Sequence, residues 1–114
     1  MLYAKVFGND NKVYVKVSGY LESGQINNFV NDYKKQIKGI KTSRYNLVVD
    51  IDPFDIDNFS DIKNVCMMFY KNGYKKIYLV DPTNYIMSNV KLKPIERKMF
   101  LKVVKIVNSE SEVM

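Results

Sequence analysis

The sequence predicts a single α/β domain built on a mixed, mostly parallel five-stranded sheet, with element order β-β-α-β-α-β-α-β. Three observations carry this expectation. Short segments with two-residue apolar alternation are interleaved with segments whose apolar residues recur at helical spacing. Strands separated by helices call for right-handed crossovers and parallel pairing, whereas the first two strands are joined by a short turn and pair antiparallel. Finally, 114 residues with 46% hydrophobic content, five Gly and three Pro fit one domain without repeats or interior linkers. A chain of this size buries roughly two-thirds of its unfolded surface and folds without a disulfide or a metal.

Tyr3–Phe7 and Val13–Val17 alternate as half-buried strands do, and Gly8-Asn-Asp-Asn-Lys12 between them is rich in turn formers, which predicts a hairpin. Ser18-Gly19 is expected to end the second strand. From Gln25 to Lys38 the period changes: Ile26, Phe29, Val30, Tyr33 and Ile37 share one face of a helix. Ser23 is its expected N-cap and Gly39 its C′ residue. Tyr45–Ile51 follows, with a Leu47-Val48-Val49 centre that reads as a strand buried on both faces. An acidic loop from Asp52 to Asp57 leads into a second helix, Asn58–Lys71, with Ile62, Val65, Cys66 and Phe69 inward and Gly73 closing it. Lys76–Val80 is the fourth strand, ended by Asp81-Pro82. Thr83 is the expected cap of a short helix to Val90, with Ile86, Met87 and Val90 inward. Phe100–Val107 reads as the fifth strand. The domain is expected over residues 1–108, and 109–114 as a polar tail or the first turn of a shortened closing helix.

Composition excludes much. With no His and a single Cys (Cys66), disulfide scaffolds, Cys/His zinc sites and His-dependent catalysis are closed. No Gly-rich phosphate loop is present. We therefore expect no enzyme, no catalytic residues, no cofactor and no metal. The N-terminus lacks the apolar stretch of a signal peptide or membrane span, and with one Cys the expected location is cytoplasmic. The formal net charge of +6 suggests polyanions, yet Arg44 and Arg97 are the only arginines, and base reading prefers Arg. Nucleic acid is disfavoured on that ground and for want of a motif.

The order and several segments resemble the STAS domain, the family of sulphate-transporter and anti-sigma-factor-antagonist domains. Val13-Tyr-Val-Lys-Val-Ser-Gly19-Tyr-Leu21 is similar to its second strand and the entry to the first helix. Leu47-Val-Val-Asp50-Ile51 is similar to its central strand, Gly73-Tyr-Lys-Lys-Ile-Tyr-Leu-Val80 to its glycine-led fourth strand, and Val103–Glu112 to its last strand and closing helix. The resemblance implies a bacterial, non-enzymatic regulatory module whose partner is an anti-sigma factor or related kinase. The family carries a phosphorylated Asp-Ser pair where the second helix begins. This chain reads Ile56-Asp57-Asn58-Phe59-Ser60-Asp61 there, so Asn58 keeps a capping amide without a hydroxyl, and Ser60 is the remaining candidate for phosphorylation. The usual phosphoserine switch is therefore not expected. A shortened closing helix would leave apolar sheet surface for a second copy, giving a homodimer, or for another protein.

The partner surface expected on this resemblance comprises Asp55, Asp57, Asn58, Ser60, Asp61, Lys63 and Met67, bordered by Ser23 and Gly24. Each has an ordinary reading beside it. The run Asp50, Asp52, Asp55, Asp57, Asp61 either holds Mg²⁺ or supplies loop and helix-start chemistry. Phe54, Ile56 and Phe59 either tuck under the second helix or leave one anchor exposed. Cys66 reads as inert packing. The basic stretch Lys91–Lys98 is expected to be a solvated connector, or to meet phosphates or an acidic partner. A small-molecule or lipid carrier on the same fold, and a phage or mobile-element accessory protein, are the alternative functions.

Overall fold

The computed structural model describes residues 1–89 and 93–113, apart from the side chain of Met87; expected inward positions Met87 and Val90, and the start of the basic stretch at Lys91, fall outside that description. Five strands run in the spatial order β1-β2-β3-β4-β5: β1 (Leu2–Phe7), β2 (Lys12–Leu21), β3 (Asn46–Ile56), β4 (Lys76–Val80) and β5 (Val104–Val107). β1 and β2 form the antiparallel hairpin, and every later pair is parallel. The turn closes through Asn11, held at φ 48°.

β2 and β3 outrun their expected ends. Pairing continues to Leu21 opposite Ile56, so Asp52–Ile56 is strand rather than loop. The continuation passes through an irregularity: Val17 faces Ile51 but Gly19 faces Phe54, leaving Asp52 and Pro53 to oppose Ser18. Proline lacks an N–H and is tolerated at such a bulge, where the ladder asks nothing of it. Gly19 sits at φ 72° on the other side of the same irregularity.

α1 (Ser23–Ile37) buries Ile26, Phe29 and Tyr33. Its N-cap is Glu22, not Ser23, because β2 extends to Leu21 and the turn falls one residue earlier; Gln25 reaches back to accept the Glu22 N–H at 2.8 Å. Lys38 ends it in a right-handed conformation, so Gly39 does not supply a left-handed closure. α2 (Phe59–Lys71) is capped by the Asn58 side chain, whose Oδ1 accepts from Ser60 N–H at 3.0 Å, and is followed by Gly73 at φ 70°.

The last connection departs most from expectation. A short α3 (Tyr85–Asn89) is followed by α4 (Pro94–Val103), so the basic stretch from Pro94 onward is helix and Phe100–Val103 is not strand. Pro94 occupies the first helical position, and Glu96 accepts the Lys93 N–H at 3.0 Å, a start signal that outweighs the β-branched residues further on. Glu96 also meets Lys63 of α2 at 3.0 Å. The Lys93 amide, and then the Lys63 ammonium, hold its carboxyl below the ordinary value of 4.5. A depressed carboxyl contributes stability above its unfolded value and loses it as pH falls through the folded one. The melting temperature of the parent chain should therefore fall more steeply below pH 4.5 than that of Glu96→Gln. Parallel profiles would mean that these contacts add no net stability.

Sequential strand order makes every crossover step the same way, so right-handed connections put the helices on one face of the sheet. The main core lies there, joining Val13, Val15, Leu47, Val49, Ile77 and Leu79 to the inward residues of α1, α2 and α3. The other face buries Val48, Tyr78, Val80 and Val107, with Tyr14 and Val113 packed against them. Its remaining positions include Tyr3, Lys5, Lys12, Lys16, Asp50 and Asp52. The expected free apolar sheet surface is thus replaced by a polar, aromatic one. Exposed apolar side chains concentrate on α4 instead, at Ile95 (69% exposed), Met99, Leu101 and Val103.

Candidate functional site

The strand pairs Tyr20–Asp55 and Leu21–Ile56 end β2 and β3 side by side, so α1 and α2 leave the sheet next to each other. This is the carboxyl end of the parallel strands, where α/β sheets present their ligand-facing loops. Of the expected residues, Ser23, Gly24, Asp55, Asp57, Asn58 and Ser60 are exposed here, and Asp61 is partly so in the first turn of α2. Carboxylates near that N-terminus are favoured by the helix dipole.

Beneath them lies an aromatic support. Phe54 and Ile56 are buried and Phe59 is half-buried, so the burial reading of these three holds. The Phe54 ring lies 4.9 Å from Tyr85 and 6.3 Å from Phe59, centroid to centroid, and the Tyr85 hydroxyl donates to the Phe54 carbonyl. The start of α3 and the start of α2 are thereby fastened to the same strand end. Burial, then the nearby Asp55 charge, raises the Tyr85 phenol above its ordinary value.

Tyr20 is the residue that sequence reasoning missed. Its ring is exposed, and its hydroxyl donates to Asp57 Oδ1 at 2.6 Å, bridging β2 to the turn before α2. That bond favours the neutral phenol and raises its value. A signal existed in the aromatic beside Gly19, but its use depends on a strand-pairing register that sequence spacing does not supply.

The acidic run divides between two places. Asp50 and Asp52 point to the sheet face away from the helices, where Lys16 Nζ lies 3.1 Å and 2.9 Å from them and Tyr14 donates to Asp50 at 2.6 Å. Burial pulls the Lys16 ammonium down, but its bonds to Asp52 and Asp50 outweigh that and raise it. Among the described residues no three acid or Cys side chains converge as a metal would need. Two further expected residues face another neighbour: Lys63 is paired with Glu96, and Met67 lines a cleft with Tyr70, Met99 and Phe100. They belong to the α2–α4 contact rather than to the acidic turn. Cys66 lines an apolar cavity between α2 and the sheet, and burial pushes its thiol up to about 12. The cavity measures about 30 Å³, far below the roughly 300–1,000 Å³ of ligand pockets.

No family model matches the chain, and no curated protein matches it in sequence. Solved structures do match in fold. One is an uncharacterized DUF3478-family protein with a SpoIIAA-like fold from Shewanella loihica PV-4, at TM-score 0.64 and 13% identity over 98% of this chain and 88% of that one. Another is the anti-sigma factor antagonist SpoIIAA in its unphosphorylated form, at TM-score 0.62 and 11% identity over 98% and 92%. The chain has a STAS-like, SpoIIAA-like fold. No helix among the described residues is long and apolar enough to cross a membrane.

Proposed function

We propose that this chain is a non-enzymatic, protein-binding regulatory module of a bacterial cytoplasm, whose partner meets the acidic end of the sheet. The observation that carries the reading is the adjacency of two helix starts, imposed by the Leu21–Ile56 pair, which gathers Ser23, Gly24, Asp55, Asp57, Asn58 and Ser60 on one exposed surface. Tyr20 joins them through Asp57. Likeness in fold to an anti-sigma factor antagonist supports a partner of the anti-sigma-factor or related kinase type. The N-cap of α2 is Asn58, which has no hydroxyl, so the contact is set without the usual phosphoserine switch. Ser60, exposed in the first turn, is the position to examine for modification by mass spectrometry. The apolar cavity beneath α2, at about 30 Å³, is too small to hold a carried ligand.

The test begins with the tagged chain as bait in lysate of its source. The expected capture is a kinase-type ATPase or a sigma-factor regulator. The double substitution Asp57→Lys with Asp61→Lys should then weaken binding at least about a hundredfold, since two like-charge contacts replace two favourable ones. Both side chains lie outside the core, so the melting temperature should stay within a few degrees. Unchanged affinity would move the site elsewhere.

A further inference from the structure

We propose that the outer edge of β5, with the lysine-lined groove beside it, is a second binding surface that takes an extended acidic segment of a protein partner as an added strand. The sheet has two edges, and they are finished differently. Along β1, Gln36 of α1 donates to the Ala4 carbonyl at 2.8 Å and to Asp32 at 2.7 Å, so a side chain already occupies that edge. Among the described residues β5 pairs only with β4; the Val104 N–H at its start is taken by the Phe100 carbonyl of α4, and the later part of this short edge has no second strand beside it. An unpaired edge is a template for another strand.

The surroundings choose the charge of that strand. A groove of about 630 Å³ opens where β4 and β5 begin and α4 ends, lined by Lys75 and Lys76 at the β4 start and by Lys102 and Lys105 of α4 and β5, with Leu101 and Val103 exposed beside them. None of the four lysines has a carboxylate partner among the described residues. From Ile62 to Ser109 the chain carries only two acids, Asp81 and Glu96. Asp81 is buried beneath α3, and Glu96 is tied to Lys63.

Three features together fit one occupant. The β5 edge beyond the Val104 N–H offers backbone pairing, the lysines meet carboxylates, and the exposed Leu101 and Val103 receive the alternate apolar side chains of an extended peptide. A second copy pairing edge to edge would set these lysines against their own images. Nucleic acid fits less well, because no arginine reads bases and no aromatic stacks on them in the lining. The surface lies towards the opposite end of the strands from the acidic turn and stands or falls independently of it.

Fluorescence anisotropy of the full chain with a labelled peptide of alternating Glu and Val residues tests the proposal. Saturable, salt-sensitive binding is expected, weakened at least about tenfold by Lys102→Glu with Lys105→Glu at an unchanged melting temperature. A Lys-Val peptide should bind that variant at least about tenfold better than the parent chain. N-methylation of alternate peptide amides should weaken the acidic peptide by about tenfold, since it removes the ladder bonds. Absence of saturable binding, or undiminished binding of the methylated peptide, would overturn the proposal. Tighter binding of oligothymidylate than of peptide, or self-association abolished by the same substitutions, would do so as well.

Discussion

Alanine in place of Tyr33 is expected to lower the unfolding free energy by about 3–5 kcal/mol in urea titrations. Tyr33 is 0% exposed, its ring stacked 5.9 Å from Phe29 and edge-on to Phe69 at 5.2 Å. Its hydroxyl donates to Asn72 Oδ1 at 2.6 Å, which leaves Tyr74, also at 2.6 Å, to donate to Tyr33. Asn72 in turn ends α2, and its carbonyl accepts from Thr42 Oγ1 at 2.6 Å. One side chain thus fills the space between α1 and α2 and satisfies the polar groups that fasten them. Tyr33→Phe keeps the ring and should cost only about 1–2 kcal/mol, the price of two bonds left without their partner. A loss below about 1 kcal/mol for Tyr33→Ala would mean that the helices close over the gap. Burial also raises both phenols, that of Tyr74 to about 12 from an ordinary 10. Stability held in this way is complete below pH 10 and is lost as pH climbs towards 12, so alkaline unfolding should begin later in Tyr74→Phe.

The second large effect is expected at Asp81, which is 2% exposed. Its two carboxylate oxygens accept from Tyr85 N–H and Ile86 N–H, both at 2.8 Å, and its own N–H donates to the Val107 carbonyl at 3.0 Å. The start of α3 is therefore satisfied from the end of β4, with no water needed. Asp81→Ala should cost about 1–3 kcal/mol, because two buried donors lose their acceptor, and hydrogen exchange at Tyr85 and Ile86 should quicken. Thr83→Ala should stay within about 0.5 kcal/mol, since Thr83 is exposed and the cap is Asp81. Equal losses at the two positions would restore Thr83 as the cap.

Those two sites differ in how far they could be read in advance. Tyr33 lies on the apolar stripe of a long periodic helix, so its burial was legible, but its bonds to Asn72 and Tyr74 join positions 39 and 41 residues away. Asp81 next to Pro82 reads as a turn residue, and only the return of the chain over the sheet makes it a buried cap. The same division runs through the candidate site. Asn58 was legible as a helix start because capping is local chemistry. Tyr20 was not, because its partner Asp57 is brought near by strand pairing. Lys63 and Met67 belong to the partner surface expected on the resemblance, but α4, expected as a connector, packs against their side of α2.

Within the sequence, local periodicity was sufficient for the hairpin, the body of α1, α2, β4 and the overall α/β order with its STAS-like resemblance, and capping for the start of α2, whereas the ends expected for α1 at Ser23 and Gly39 were displaced. Each of these is specified by residues a few positions apart, and each agrees with the burial it produces. What tertiary structure decided was every feature that needs a partner far along the chain. β3 runs on through Pro53 because β2 lies beside it to pair with. Phe100–Val103 stays helical because Pro94 and Glu96 start a helix that Lys63 then holds. Gln36 reaches the Ala4 carbonyl because α1 packs over β1, far from it in sequence. Propensity is a small local bias, and long-range pairing and burial override it wherever the two disagree.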